Sequence, residues 1–122
     1  MQPRKLLGAA ALSALFAVGA GTIPMAGMAA DVVDLEQGKA LAFDRKKGNC
    51  LACHMIAGGV SPGNIGPPLV AMKARYPERQ KLKDQIWDAT AINPEVTMPP
   101  YGRHVILTEA ELEKVVDFIW SL

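Results

Sequence analysis

Gly48 to His54 reads GNCLACH, and this stretch holds both cysteines of the 122-residue chain, with a histidine directly behind the second. Two thiols separated by two residues serve three chemistries: a redox dithiol, half of a zinc site, or covalent attachment of a haem. The flanking sequence separates them. A redox dithiol sits behind a central strand at the start of a helix, within an α/β pattern. No strand pattern precedes Cys50 and no βαβ unit follows it. A zinc site could draw on Cys50, Cys53 and His104, yet a closed tetrahedral site wants two well-spaced ligand pairs, and His54 is badly placed to join one. A disulfide across two residues closes too small a loop to stabilise a fold much.

The haem reading uses every residue of the motif. In Cys-x-x-Cys-His the thiols of Cys50 and Cys53 add to the two vinyl groups, and the imidazole of His54 points at the iron. One haem c held this way also fills the centre of a domain too small to build a large core of its own.

The N-terminus fixes the compartment this chemistry needs. Arg4 and Lys5 precede an uncharged run rich in Ala, Gly and Leu, followed by Pro24 and small residues up to Ala30. Residues 1–30 therefore read as a secretory signal peptide and 31–122 as one domain, exported to the periplasm. The same run is long enough to span a bilayer as an uncleaved anchor, but its Ala and Gly content and Pro24 suit cleavage. Any membrane contact would come through that leader. Its removal takes 13 basic residues to 11 against 12 acidic ones, a net charge of −1. A nucleic-acid partner would require a basic excess and is excluded.

The mature sequence reads as all-α with long loops. A first helix is expected over Asp34–Gly48, with Asp34 as cap, Leu35, Ala42 and Phe43 on one face and Gly48 as the stop. Gly58–Pro68 is built from turn residues. A short helical piece, Leu69–Arg75, precedes Tyr76-Pro77. A further helix is expected over Pro77–Ala91, with Pro77 in its first turn and Leu82, Ile86 and Ala89 on one side. Asn93-Pro94 breaks it. The last helix carries the strongest signature: Thr108 and Glu111 form a capping box, and Leu112, Val115, Val116, Ile119 and Leu122 recur at helical spacing.

His54 leaves one axial position of the iron to fill, and Met55, Met72, Met98 and His104 are the candidates. Met55 is adjacent to His54 and cannot reach across the ring. Met72 lies in an amphipathic piece where methionine serves as core filler. Met98 is favoured, because Pro99 and Pro100 stiffen its loop and it lies well downstream, between two helices. His104 reads as a loop histidine. Behind His54, the turn Ile65-Gly66-Pro67-Pro68 is the expected source of a carbonyl that accepts the second imidazole N–H, with Gly66 permitting close approach.

With these residues in place the chain resembles a class I cytochrome c: a helix, Cys50-x-x-Cys53-His54, a Gly66-Pro67 turn, Met98-Pro99 and a closing amphipathic helix. The blocks GKALAFDRKKGNCLACHMI (38–56), PGNIGPPL (62–69), MKARYPERQKLKDQIWDAT (72–90) and MPPYGRHVILTEAELEKVVDFIWSL (98–122) are similar to the monohaem X subunit of the bacterial Sox sulfur-oxidation system. The resemblance implies His54 and Met98 as iron ligands, with the Pro67 carbonyl behind His54. It also implies a heterodimer with a SoxA-like haem subunit, forming a SoxAX-type L-cysteine S-thiosulfotransferase that joins thiosulfate to a cysteine of the SoxYZ carrier. The catalytic site then lies on the partner, and this chain passes electrons to a downstream acceptor. The alternatives are a free periplasmic shuttle delivering to a terminal oxidase or photosynthetic reaction centre, and a haem enzyme with an open distal face.

Two charged stretches complete the reading. Lys73, Arg75, Arg79, Lys81 and Lys83 crowd the middle of the chain, and Glu109, Glu111, Glu113 and Asp117 mark the closing helix. They read as solvated faces, or as a basic surface that steers a partner. Trp87 and Trp120 are expected to pack in the core or against the haem.

Overall fold

The computed structural model describes residues 26–122, and every regular element among them is helical. The expected leader falls mainly on residues outside that range. Among the described residues no helix is long and apolar enough to cross a membrane.

Helix α1 (Ala26–Phe43) starts upstream of the expected cap. Asp34 is therefore an interior residue, and its carboxylate lies 3.5 Å from Lys114. The stretch ahead of it is rich in alanine, the best helix former, and nothing there stops the helix. At the other end α1 stops at Phe43, five residues short of Gly48. The Gly48 N–H donates to the Leu41 carbonyl (3.0 Å) and closes the turn, while Asn49 takes the left-handed conformation with φ 47°.

A 3-10 turn, Cys50–Ala52, carries the motif, and the long irregular segment after it leads into the one-turn α2 (Met72–Arg75). Pro77 lies outside the next helix, contrary to expectation: α3 spans Arg79–Trp87, with extended Glu78 as its N-cap. The pyrrolidine ring disfavours helical backbone at Tyr76, so the chain turns before it coils again. At Asp88 the backbone leaves helical geometry (φ −154°, ψ 86°). The side chain of Asp88 then caps a 3-10 turn, Ala89–Ala91, by accepting from the Thr90 N–H at 3.1 Å.

Helix α4 (Glu109–Trp120) opens on the expected capping box. Thr108 Oγ1 accepts from the Glu111 N–H (3.3 Å), and the Glu111 carboxylate accepts from the Thr108 N–H (2.9 Å). Its apolar stripe of Leu112, Val115, Val116 and Ile119 is buried, and Phe118 meets Phe43 of α1 edge to face with ring centroids 6.0 Å apart. The α1–α4 crossing is the main helix–helix contact, and α3 lies along the other side of α4.

The two charged stretches face each other. Arg79 pairs with Glu113 (2.7 Å) and Asp117 (2.5 Å), and Lys83 pairs with Glu113 and with Glu109 (3.4 Å). Lys81 pairs with Glu78 (2.9 Å), Arg75 donates to the Pro68 carbonyl (2.8 Å), and the Lys73 ammonium stands 4.8 Å from the Trp120 ring centre. Arg79 and Lys83 are thus tied to α4, while Lys73, Arg75 and Lys81 remain exposed. Such pairs, partly screened by water, contribute about 0–1 kcal/mol each; their consequence is to set how α3 lies on α4.

Candidate functional site

The helices enclose a cavity of about 230 Å³ lined by Cys50, Cys53, His54, Gly66, Pro67 and Met98. These elements are far apart in sequence and come together because α3 and α4 wall the cavity between the motif and the Met98 loop. Leu69, Met72, Leu82, Ile86, Leu107, Val115 and Ile119 supply an apolar wall from core residues. A space of that character with two thiols, an imidazole and a thioether at its edge fits a flat apolar ring anchored through sulfur and gripped by soft and borderline donors.

The imidazole is held in one orientation. His54 Nδ1 stands 2.7 Å from the Pro67 carbonyl oxygen, which has no proton to give, so Nδ1–H donates and Nε2 keeps its lone pair. Gly66 packs against the same ring: a β-carbon there would stand 2.6 Å from Nδ1 and 2.9 Å from Nε2. The Gly66 N–H donates to the Cys53 carbonyl (2.9 Å), and this bond keeps the turn beneath the motif.

Burial pushes the Cys50 thiol up to about 11. A thiol held that way is a poor nucleophile at neutral pH, the reverse of what a redox dithiol requires. His104 is exposed and does not line the cavity, and no group of three or more His, Cys, Asp or Glu side chains placed to hold a metal occurs among the described residues. The zinc reading therefore has no geometry behind it.

Of the four candidate sixth ligands, Met55 is exposed and His104 is turned away. Met72 is 1 % exposed in the core, its sulfur 3.4 Å from the Arg75 guanidinium. Met98 lines the cavity from a loop well downstream of the motif, with the Gln85 amide nitrogen 4.0 Å from its sulfur. Neither indole lines the cavity: of the two expected settings, core or haem, Trp120 takes the core, and Trp87 takes neither. Trp120 donates to the Tyr76 carbonyl (2.9 Å), and Trp87 lies on the surface against Gly102. Sequence reasoning did not single out Tyr101, which is buried at the cavity and whose hydroxyl donates to the Gly48 carbonyl (2.6 Å). Burial holds that phenol well above its ordinary range, so it stays a donor. Its place beside Met98-Pro-Pro was the only cue.

The turn ahead of the motif is tied to α4 by Lys47, which pairs with Glu111 at 2.8 Å. This ammonium, together with the Thr108 N–H, lowers the Glu111 carboxyl from 4.5 to about 2. A carboxyl depressed on folding stabilises the fold above its unfolded value and ceases to do so as pH falls through the folded one. Glu111→Gln, which keeps a capping side chain, is expected to unfold at lower urea than the parent at pH 7. The difference in urea midpoint should shrink from pH 5 downward and close near pH 2; a difference independent of pH would place the effect outside the charge.

No curated protein matches the chain. The family model for cytochrome c matches residues 35–122, from within α1 through the cavity to the end of α4. With the helical fold and the paired cysteines at the cavity, the match establishes that the chain belongs to the cytochrome c family, carries one haem c bound covalently through Cys50 and Cys53, and serves electron transfer.

Proposed function

We propose that this cytochrome c is the electron-accepting subunit of a SoxAX-type thiosulfate-oxidising complex in the periplasm, with His54 and Met98 as its axial ligands. The ligand assignment is carried by a cavity that His54 and Met98 both line, with Nδ1 of His54 already committed to Pro67; Met72 lines it too, but from the core wall with its sulfur against Arg75. When bound, the haem supplies a one-electron couple. The residues around it orient that couple and keep water from it. A neutral thioether favours Fe(II) over Fe(III), so Met98 raises the potential above that of a bis-imidazole site. Two protein ligands leave no position for oxygen or peroxide.

The Sox assignment rests on the four sequence blocks, which extend over most of residues 38–122, and on the bookkeeping of sulfur. Cys50 and Cys53 are the only cysteines, and both are used by the haem. Sulfur transfer to a cysteine must then occur on a SoxA-like partner acting on the SoxYZ carrier. The surface at the motif also suits a close protein contact. Residues 55–72 contain no Asp, Glu, Lys or Arg, and Val60 and Ile65 are 84 % and 72 % exposed, Ile65 at the cavity edge. With Arg79 and Lys83 tied to α4, docking falls to this apolar rim, and partner association should vary little between low and moderate salt.

Purification under native conditions from the source cell decides between a complex subunit and a shuttle. A haem-bearing partner that remains bound at 0.5 M salt, with thiosulfate-dependent reduction of this haem in the complex, is the expected result. A chain that emerges alone and accepts no electrons in the presence of thiosulfate and carrier would sink the Sox assignment. For the ligands, the long-wavelength thioether-to-ferric-iron absorption should vanish in Met98→Ala and survive in His104→Ala; its persistence in Met98→Ala would transfer the sixth position to another methionine, and its absence from the parent would transfer it to a nitrogen ligand such as His104.

A further inference from the structure

Met98 belongs to an irregular segment, residues 93–107, that lines the cavity without a helix of its own. Pro99 and Pro100 stiffen it, but stiffness alone does not press a loop onto a site. Something has to hold its far end. The backbone beyond the prolines returns to the end of α3: the N–H groups of Gly102 and Arg103 both donate to the Trp87 carbonyl, at 3.1 and 3.3 Å. Beside them the Arg103 guanidinium reaches Asp88 Oδ2 (2.8 Å) and Thr90 Oγ1 (3.3 Å). Asp88 is the one buried charged side chain of the described chain, at 8 % exposure, and its other oxygen is occupied by the Thr90 N–H and hydroxyl.

We infer that the Asp88–Arg103 pair, braced by Thr90, is the clasp that keeps the Met98 loop closed over the cavity, and that Asp88 and Arg103 are positioning residues for the sixth ligand. The inference rests on Met98 as that ligand. The physical case is one of redundancy. On the motif side the loop is fixed through the Tyr101 hydroxyl to Gly48. On the α3 side the two backbone bonds share the single Trp87 carbonyl, Gly102 buried and Arg103 exposed. The carboxylate of Asp88 is different. The side chain is 11 % exposed and accepts from Thr90 and Arg103, so releasing the loop costs it a charge-assisted hydrogen bond that water replaces only in part. That penalty falls on the open state alone, and so it sets how often the sixth position is exposed to an outside ligand.

Exogenous imidazole binding to the ferric holoprotein measures that opening directly, and amide exchange of Gly102 and Arg103 measures it without reference to the haem. Arg103→Leu is expected to raise imidazole affinity and to speed exchange at the Gly102 amide by about tenfold, the scale of one lost charge-assisted hydrogen bond. The α1–α4 core amides should be unaffected. Arg103→Lys, which keeps the charge, should restore most of the protection. Should Arg103→Leu fold poorly, Thr90→Val removes one arm of the brace and should give a smaller shift in the same direction. Met98→Ala separates the two readings. If it raises imidazole affinity while Arg103→Leu and Thr90→Val leave both affinity and Gly102 exchange at parental values, the clasp is wrong and the ligand stands. If the thioether absorption persists in Met98→Ala, the ligand assignment falls and the clasp as a positioning device falls with it.

Discussion

Gly38→Ala is expected to lower the thermal midpoint by about 15 °C, which corresponds to roughly 3 kcal/mol in a domain of this size. Helix propensity alone argues the other way, since alanine is favoured over glycine inside a helix by about 1 kcal/mol. Position decides the sign. A β-carbon at residue 38 would fall 2.7 Å from the Lys114 carbonyl carbon, closer still to its oxygen, and 2.9 Å from Phe118 Cβ. The obstacle is backbone, which no rotamer change can remove, so α1 and α4 would have to separate along their shared face. Overpacking of a tight contact costs about 1–3 kcal/mol, occasionally more, and here it loosens the principal helix crossing, including the Phe43–Phe118 contact. The mutation should cost stability with little change in the absorption of whatever folded holoprotein remains. A midpoint unchanged or raised would mean that the two backbones do not touch.

That glycine also shows where the sequence stops being legible. GNCLACH specified its chemistry outright, because each of its three reactive residues has a fixed role and no other reading uses all of them. The closing helix was equally plain, since a capping box and an apolar stripe are local signals. The crossing at Gly38 was not visible: a glycine in a helical pattern looks like a local cost until the partner backbone is known. The pairing between the two charged stretches was hidden for the same reason. Lys83 and Glu113 lie 30 residues apart, and only the packing of α3 on α4 turns two apparent surface faces into a single ladder. Asp34 and Pro77 were misplaced because caps were assigned from residue type alone, although helix boundaries depend equally on what precedes them. Asp88 attracted no attention within DQIWDAT. Its burial arises from a turn that the Met98 loop completes.

Gly66→Ala is expected to damage the site without unfolding the chain. The added β-carbon would stand 2.6 Å from His54 Nδ1, so either the imidazole rotates or the Gly66-Pro67 turn retreats. Both movements break the 2.7 Å bond from Nδ1–H to the Pro67 carbonyl. Partners of this kind fix the ring and raise its basicity, and losing one costs about 10–100-fold in affinity for the metal. On the ligation proposed for His54, proton and iron compete for the same Nε2 lone pair. A bond weakened by that factor gives way to acid at a pH about one to two units higher than in the parent. Acid titration of the haem absorption reads that displacement. Pro67→Ala supplies the contrast, because the acceptor is a main-chain oxygen that the substitution leaves in place; its displacement pH should move much less. Equal shifts in the two variants would mean that stiffness of the turn, rather than clearance beside the ring, holds His54. At Gly66 a single missing methyl group lets the turn lie close enough to accept the Nδ1 proton, and that acceptance keeps Nε2 free for the proposed bond to iron.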